Sequence, residues 1–280
     1  SHDQAYLISI PRDARVHIPA YPATGSAAQT EKINAAFANG YRGGGTELEK
    51  RARGVDLLAR TLHNLTDITF NGAALIDFEG FEAVVEKLGG VQMCVDQRAT
   101  SIHIAADSEG NLRKVWYDED SGIQGLAPDE HAYVHEEGCR RMPAELALDY
   151  ARIRKNLKNG DYDRQLHQQQ LIKAIAKEAT SKGVVANLPK LMGVIDSAGK
   201  AFVLDTQGVP LADFLFTLRG VAANDLITIK TNAGSFNSIR INGRDFEQLS
   251  DESMNMLAAV RQGRLQEFVL SHPEFVGTVS

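Results

Sequence analysis

Short apolar runs of strand length alternate with stretches of helical spacing along this 280-residue chain, and that alternation most constrains its fold. Tyr6, Leu7, Ile8 and Ile10 cluster in a run that Pro11 ends, which predicts a strand over Ala5–Ile10 with Arg12 and Asp13 at its exit. Arg15–Pro19 reads as a second short extended piece, Pro19–Gln29 as a loop, and Glu31–Asn39 as a short helix before a glycine-rich break. Thr46 and Glu49 fit a capping box, and Leu48, Ala52, Val55, Leu58, Ala59 and Leu62 follow as one buried stripe. Ile68–Phe78 reads as a strand, Phe81–Leu88 as a helix stopped by Gly89-Gly90, and Val91–Val95 as an alternating strand. Ser101–Tyr117 reads as a hairpin turning at Ser108–Asn111, Gly122–Met142 as irregular, and Pro143 as the start of a short helix. A long helix is expected over Arg164–Lys182, then helices near 184–198, 210–222 and 251–261 around a strand at Leu226–Thr231. Interleaving of this kind places a sheet between covering helices, the α/β class. No linker composition divides the chain, so a single domain over 1–280 is expected.

Composition narrows the function. Lys and Arg number 30 against 36 Asp and Glu, and this net charge of −6 argues against a broad nucleic-acid surface. No apolar run approaches the ~20 residues that span a bilayer. The start at Ser1 is abrupt, because a strand begins almost at once, and a longer natural chain is expected. Cys94 and Cys139 are the only thiols, and no CxxC or HExxH pattern supports a zinc site. Two readings of the pair stand: buried thiols, or one disulfide in an exported protein. The disulfide would close a loop that the chain-entropy model values at roughly 4 kcal/mol.

The richest stretch for chemistry is Arg152-Ile-Arg154, Asp161-Tyr-Asp-Arg164 and Gln168. If Tyr150–Arg154 is extended, Arg152 and Arg154 share a face; if helical, they diverge by roughly 200°. A shared face makes a twin guanidinium clamp suited to phosphate oxygens. Arg164, Gln168, Leu171, Ile172 and Ile175 then line one helix face, polar at its N-terminal end and apolar beyond. A phosphate at the first turn with an apolar tail along Leu171, Ile172 and Ile175 is one reading; a solvated helix start is the other. Either Asp161 or Asp163 could be the cap and the other the functional group. Arg12 sits at a strand exit, where α/β sheets bind ligands, and Asp13 could orient it, approach a metal, or form a surface ion pair. Gly43-Gly44-Gly45 is not a phosphate loop, Ser9 lacks a GxSxG elbow, and the eight histidines show no metal-ligand spacing.

Six ordered motifs carry a resemblance. They are Ser9-Ile-Pro-Arg-Asp13; Glu31-Lys-Ile-Asn-Ala-Ala-Phe37 with Gly43-Gly44; Ile76-Asp-Phe-Glu-Gly-Phe81; Leu88-Gly-Gly-Val91; Ala147-Leu-Asp-Tyr-Ala-Arg-Ile-Arg154; and Asp161-x-x-Arg164-x-x-x-Gln168. In this order they resemble the LytR-CpsA-Psr family of cell-wall glycopolymer ligases, over roughly residues 5–180. The cysteine positions and the ending Phe268–Phe275 look actinobacterial, which implies a Cys94–Cys139 disulfide. The resemblance implies an α-β-α sandwich around a central mixed β-sheet, with a small peripheral hairpin. It places the domain on the extracellular face of the cytoplasmic membrane, on an N-terminal transmembrane anchor. The implied reaction moves a phospho-linked glycopolymer from a polyprenyl-pyrophosphate carrier to a peptidoglycan hydroxyl, with Mg²⁺ or Mn²⁺. By position, Arg12, Arg152, Arg154, Arg164 and Gln168 would hold the phosphates. Arg12, Arg154 and Asp161 would be catalytic, Asp161 by orienting arginines or deprotonating the acceptor. Alternatives on the same residues are a polyprenyl-pyrophosphate phosphatase and a non-enzymatic polyprenyl-phosphate-binding regulator. The family's metal-binding aspartates would precede Ser1, which leaves Asp13 as the candidate within the chain. Many members carry Arg where this chain has His167, which implies a weaker, pH-sensitive charge contact.

Overall fold

The computed structural model describes residues 4–118, 120–155, 157–184, 187–199, 202–205, 208, 210 and 226–277. Strand pairing is mixed. β1 (Ala5–Ser9) runs parallel to β13 (Leu226–Lys230). The other ladders are antiparallel: β2 (Arg15–Ile18) with β3 (Gln29–Lys32), β4 (Ala73–Ile76) with β12 (Phe202–Asp205), and β5 (Val91–Val95) with β11 (Gly138–Met142). β6 (Ala99–Ala106) lies between β7 (Leu112–Lys114) and β10 (His131–His135), while β8 (Trp116–Asp118) pairs with β9 (Gly122–Gln124) and β14 (Ser238–Ile241) with β15 (Arg244–Glu247). Eight α-helices accompany these strands among the described residues: α1 (Asn34–Tyr41), α2 (Glu47–Thr66), α3 (Phe78–Lys87), α4 (Ala144–Arg152), α5 (Asp161–Ser181), α6 (Leu188–Ala198), α7 (Asp251–Arg261) and α8 (Leu265–Ser271).

Helix α5 joins the halves of the molecule. Its Leu171 and Ala174 pack with Val91, Met93 and Val95 of β5 and with Ala147, Tyr150 and Ala151 of α4 in the largest apolar cluster. From the same helix, Gln169 Nε2 donates to Ser9 Oγ at 2.7 Å and to the Ile229 carbonyl at 3.0 Å, tying α5 to the β1–β13 pair. A buried amide bridging two strands satisfies groups that would otherwise cost stability. Separate clusters cover β2 with α1 and α2, and β13 with α7 and α8.

Several sequence expectations change in register. Residues 29–32 form β3 because they pair with β2, so α1 starts at Asn34 rather than Glu31. The Thr46–Glu49 capping box is present, but the buried line of α2 is Gly54, Leu57 and Thr61; Leu48 is 63% exposed and Ala52 is exposed. The shift follows from α1: a Cβ on Gly54 would lie 2.7 Å from the Phe37 ring, and one on Gly40 would lie 2.3 Å from the Arg53 carbonyl oxygen. The expected 68–78 strand shrinks to β4, because the Asp77 side chain accepts the Gly80 N–H at 3.1 Å and starts α3. Within 122–142, expected to be irregular, lie β9, β10 and β11. The helix expected near 210–222 lies outside the described residues.

Cys94 and Cys139 are directly opposed across β5 and β11 and form a disulfide. It staples the base of the excursion that runs from β5 through β6–β10 and back to β11.

Two outcomes are expected for stability. Gly40→Ala should lower unfolding free energy by about 1–3 kcal/mol through helix overpacking, read as a fall in urea midpoint. The double variant Cys94→Ser/Cys139→Ser should lose about 2–4 kcal/mol, and the same denaturation series checks it.

Candidate functional site

The turn between α4 and α5 builds the site. α4 ends at Arg152, and Ile153 leaves the helix with φ −60° and ψ 131°. Ile153 is fully buried in the main core, while Arg152 and Arg154 on either side line one cleft. The pair is thus neither wholly extended nor wholly helical; the break at Ile153 brings both guanidiniums to the same side. Arg152 is seated over the Phe78 ring, 4.4 Å from its centroid. Gly160, at φ 49°, turns the chain into α5.

The cleft has a volume of about 520 Å³ and is lined by Arg12, Arg152, Arg154, Lys155, Arg164 and Gln168 on its polar side. Phe78, Ile102, His103, Val115, Trp116 and Tyr117 complete it, and no carboxylate is among its described lining residues. All five residues predicted to hold phosphate therefore meet here. A second cavity of about 590 Å³ beside α2 carries only Arg60 and His63 as basic groups, so charge density rather than size singles out the arginine cleft.

The Arg164 side chain is 16% exposed, against 52% for Arg12, and it pairs with Asp161 one turn earlier. Burial lowers its pKa below the usual arginine value; Asp161 pushes back, and the nearby Arg12 and Arg154 charges lower it again. Its Nε is buried and has no hydrogen-bond partner among the described residues. Like charges crowded this way favour a bound anion. Asp161 itself lines a small neighbouring cavity with Asp13, Phe236 and Glu247, and reaches the cleft through Arg164. Asp163 is buried and accepts the Asn159 N–H at 2.8 Å and Nδ2 at 3.0 Å, so it folds the preceding loop.

Three expected placements are corrected. Leu171 is 3% exposed in the core, Ile175 packs beside it, and Ile172 is 37% exposed; none is among the described lining of the cleft, so this stripe of α5 does not extend the cleft as an apolar tail. Leu171 and Ile175 are taken up by packing α5 on β5 and α4, and Ile172 faces solvent. His167 is fully buried away from the cleft, stacked on Tyr150 at 4.0 Å with Nε2 3.3 Å from Asp96 Oδ1, so it is not a phosphate contact. Asp13 lies 3.5 Å from Arg12 Nε and 3.3 Å from Lys32 Nζ, and no three His, Cys, Asp or Glu side chains converge among the described residues. This donor set does not fit Mg²⁺ or Mn²⁺, and no step below runs through a metal.

Sequence reading missed two buried clusters. Tyr150 Oη donates to Asp96 Oδ1 at 2.5 Å. Burial raises Asp96, but His167 and Tyr150 outweigh it and hold the carboxyl at about 2. The second cluster centres on Asp149, which accepts from Ser101, His103 and His135. Both join residues far apart in sequence, and no local pattern marks them.

Fold and site define an α/β protein with an arginine-lined cleft. The chain belongs to the LytR_cpsA_psr family, whose model matches residues 1–261. Among its relatives, the polyisoprenyl-teichoic acid–peptidoglycan teichoic acid transferase TagV of Bacillus subtilis (strain 168) is 28% identical over 206 residues, 73% of this chain and 42% of TagV. The cell wall biosynthesis protein LcpA of Corynebacterium glutamicum is 25% identical over 233 residues, 79% of this chain and 39% of LcpA. The chain thus spans about two fifths of the length of these two relatives. A structure of TagT bound to LI-WTA shares the fold at TM-score 0.60 and 20% identity, covering 93% of this chain and 79% of that one.

Because Asp96 is held at about 2 against an unfolded value near 4, it adds stability above that range and loses it as pH falls through it. Asp96→Asn should therefore cost about 1 kcal/mol at neutral pH once solvent screening of this exposed residue is counted. The wild-type advantage should vanish between about pH 4 and pH 2, read by urea unfolding across that range.

Proposed function

We propose that this protein is a phosphotransferase that moves a phospho-linked glycopolymer from a polyprenyl-pyrophosphate carrier to a peptidoglycan hydroxyl. One observation carries the reading: Arg12, Arg152, Arg154 and Arg164 share a cleft in which no carboxylate is among the described lining residues. A pyrophosphate concentrates negative charge, and more builds on the leaving phosphate during transfer. Fixed guanidiniums stabilise that charge without reorganising. Arg12 and Arg154 face the phosphates, with Arg152 and Gln168 beside them, and Asp161 orients Arg164. The carrier's first prenyl units lie against the apolar rim of Phe78, Ile102, Val115 and Trp116 rather than along α5. The names of TagV and LcpA, both cell-wall proteins, support this reaction class.

Further parts of the reading concern place and metal. The disulfide supports an extracellular, oxidising location. No helix among the described residues is long and apolar enough to cross a membrane, so a membrane tether is proposed from outside them. Mg²⁺ is a proposed participant with ligands other than those described, tested by comparing transfer in EDTA with transfer in added Mg²⁺.

The deciding assay uses a polyprenyl-pyrophosphate-linked glycan with and without peptidoglycan. Acceptor-dependent transfer is expected; phosphate release that ignores acceptor concentration would establish the phosphatase instead, and binding without turnover the regulator. Charge-assisted hydrogen bonds contribute about 1.5–3 kcal/mol each. Arg154→Ala should thus weaken polyprenyl-phosphate binding at least about tenfold while leaving the circular dichroism spectrum unchanged. Unchanged binding would sink the clamp.

A further inference from the structure

Strand β6 is not a regular strand where it passes the cleft. Thr100 pairs with Val134 and Ala105 with Ala132, so residues 101–104 bulge opposite Tyr133 alone. Bulges re-aim side chains beside functional sites. Ser101 holds this one in shape: its Oγ accepts the His103 N–H at 3.0 Å and the Ile104 N–H at 2.9 Å, and donates to Asp149 Oδ1 at 2.9 Å. Two backbone donors of the bulge, those of His103 and Ile104, are therefore satisfied within it. The result is that Ile102 and His103, adjacent in sequence, both line the arginine cleft.

Asp149 fixes the His103 ring. His103 Nδ1 lies 3.1 Å from Asp149 Oδ1, and His135 Nε2 lies 2.7 Å from Asp149 Oδ2. Asp149 and His135 are almost wholly buried, while the His103 side chain is 27% exposed. Burial raises Asp149, but hydrogen bonds from His103, His135 and Ser101 hold it below the usual carboxylate range. An ionised carboxylate only accepts, so both imidazoles must donate to it. Neutral His103 then carries its proton on Nδ1, and Nε2 keeps a lone pair on the ring edge away from Asp149. The same carboxylate would stabilise the imidazolium once Nε2 takes a proton.

We propose that His103 is the general base of the phosphotransfer, taking the acceptor hydroxyl's proton at Nε2, with Asp149 and the Ser101-supported bulge as its positioning groups. This rests on the phosphotransfer reading above. It also fills a role that Asp161 leaves open, since Asp161 is engaged with Arg164 outside the cleft lining. The acceptor oxygen bonds to the glycan-linked phosphorus while its proton passes to Nε2. The bond from that phosphorus to the bridging oxygen breaks, and polyprenyl phosphate leaves with the electron pair. His103 then returns the proton to solvent.

Three measurements on the 280-residue chain test this. The first needs no turnover: nitrogen-15 NMR of the wild type should show His103 as the Nδ1–H tautomer at neutral pH, and an Nε2–H tautomer would overturn the proposal. Second, His103→Gln should lower kcat about 100-fold or more, as loss of a general base does, with carrier affinity within threefold of wild type. Third, added imidazole should restore part of the rate of His103→Ala. Retention of wild-type kcat in a folded His103→Gln variant would overturn the assignment. So would a loss of carrier binding as large as that of Arg154→Ala, which would make His103 a phosphate ligand. Phosphate release to water is read beside peptidoglycan transfer, because either acceptor must lose a proton. If Arg154→Ala also keeps full binding, the phosphotransfer reading itself fails; if only the His103 variants behave as wild type, this inference fails alone.

Discussion

Burial of Ile153 governs the site. One apolar side chain, driven into the core between two arginines, leaves those arginines no direction but outward. The helix must end there for both to reach the same cleft, and the extended ψ of Ile153 ends it. Hydrophobic burial thus pays the cost of crowding cations that would otherwise separate. Arg152 gains its seat over Phe78, and Phe78 is present because Asp77, the first residue past a short strand, caps α3.

Helix α5 transmits that arrangement to the rest of the fold. Its first turn holds Arg164 at the cleft with Asp161 paired to it from the neighbouring cavity, its middle reaches the β1–β13 pair through Gln169, and Leu171 joins the main core. Tyr162, on the same first turn, donates to buried Glu247 at 2.7 Å; Glu247 also accepts from Asn232, the Asn237 N–H and Ser238. A buried carboxylate with this many donors is a stable anchor. The opposite wall comes from the excursion stapled by Cys94–Cys139, which brings His103, Trp116 and Tyr117 across to the arginines. The cleft is therefore made of parts with separate anchors, each satisfied locally.

Much of this was legible in the chain. The capping box, the Gly89-Gly90 stop, the β5 alternation and the 101–117 hairpin are local signals, and local signals survive folding. The arginines were legible because Arg-x-Arg and Asp-x-x-Arg-x-x-x-Gln are short patterns. Leu171, Ile172 and Ile175 misled because helical spacing says which residues share a stripe but not which neighbour takes it. Here β5 and α4 took Leu171, so it does not line the arginine cleft. His167 misled for the same reason: position in a motif did not show that α5 buries it against Tyr150.

By itself the sequence determined the α/β alternation, the helix starts and stops, and the order of charged groups, since each depends on residues within a turn or two. The tertiary structure decided which groups meet. Asp149 joins Ser101, His103 and His135 across strands and a helix, Asp96 joins Tyr150 and His167, and Arg12 joins Arg154 across the cleft. The physical reason is one of range. Capping, turn formation and periodicity act along the chain, whereas desolvation and charge pairing act through space, and only packing sets those distances.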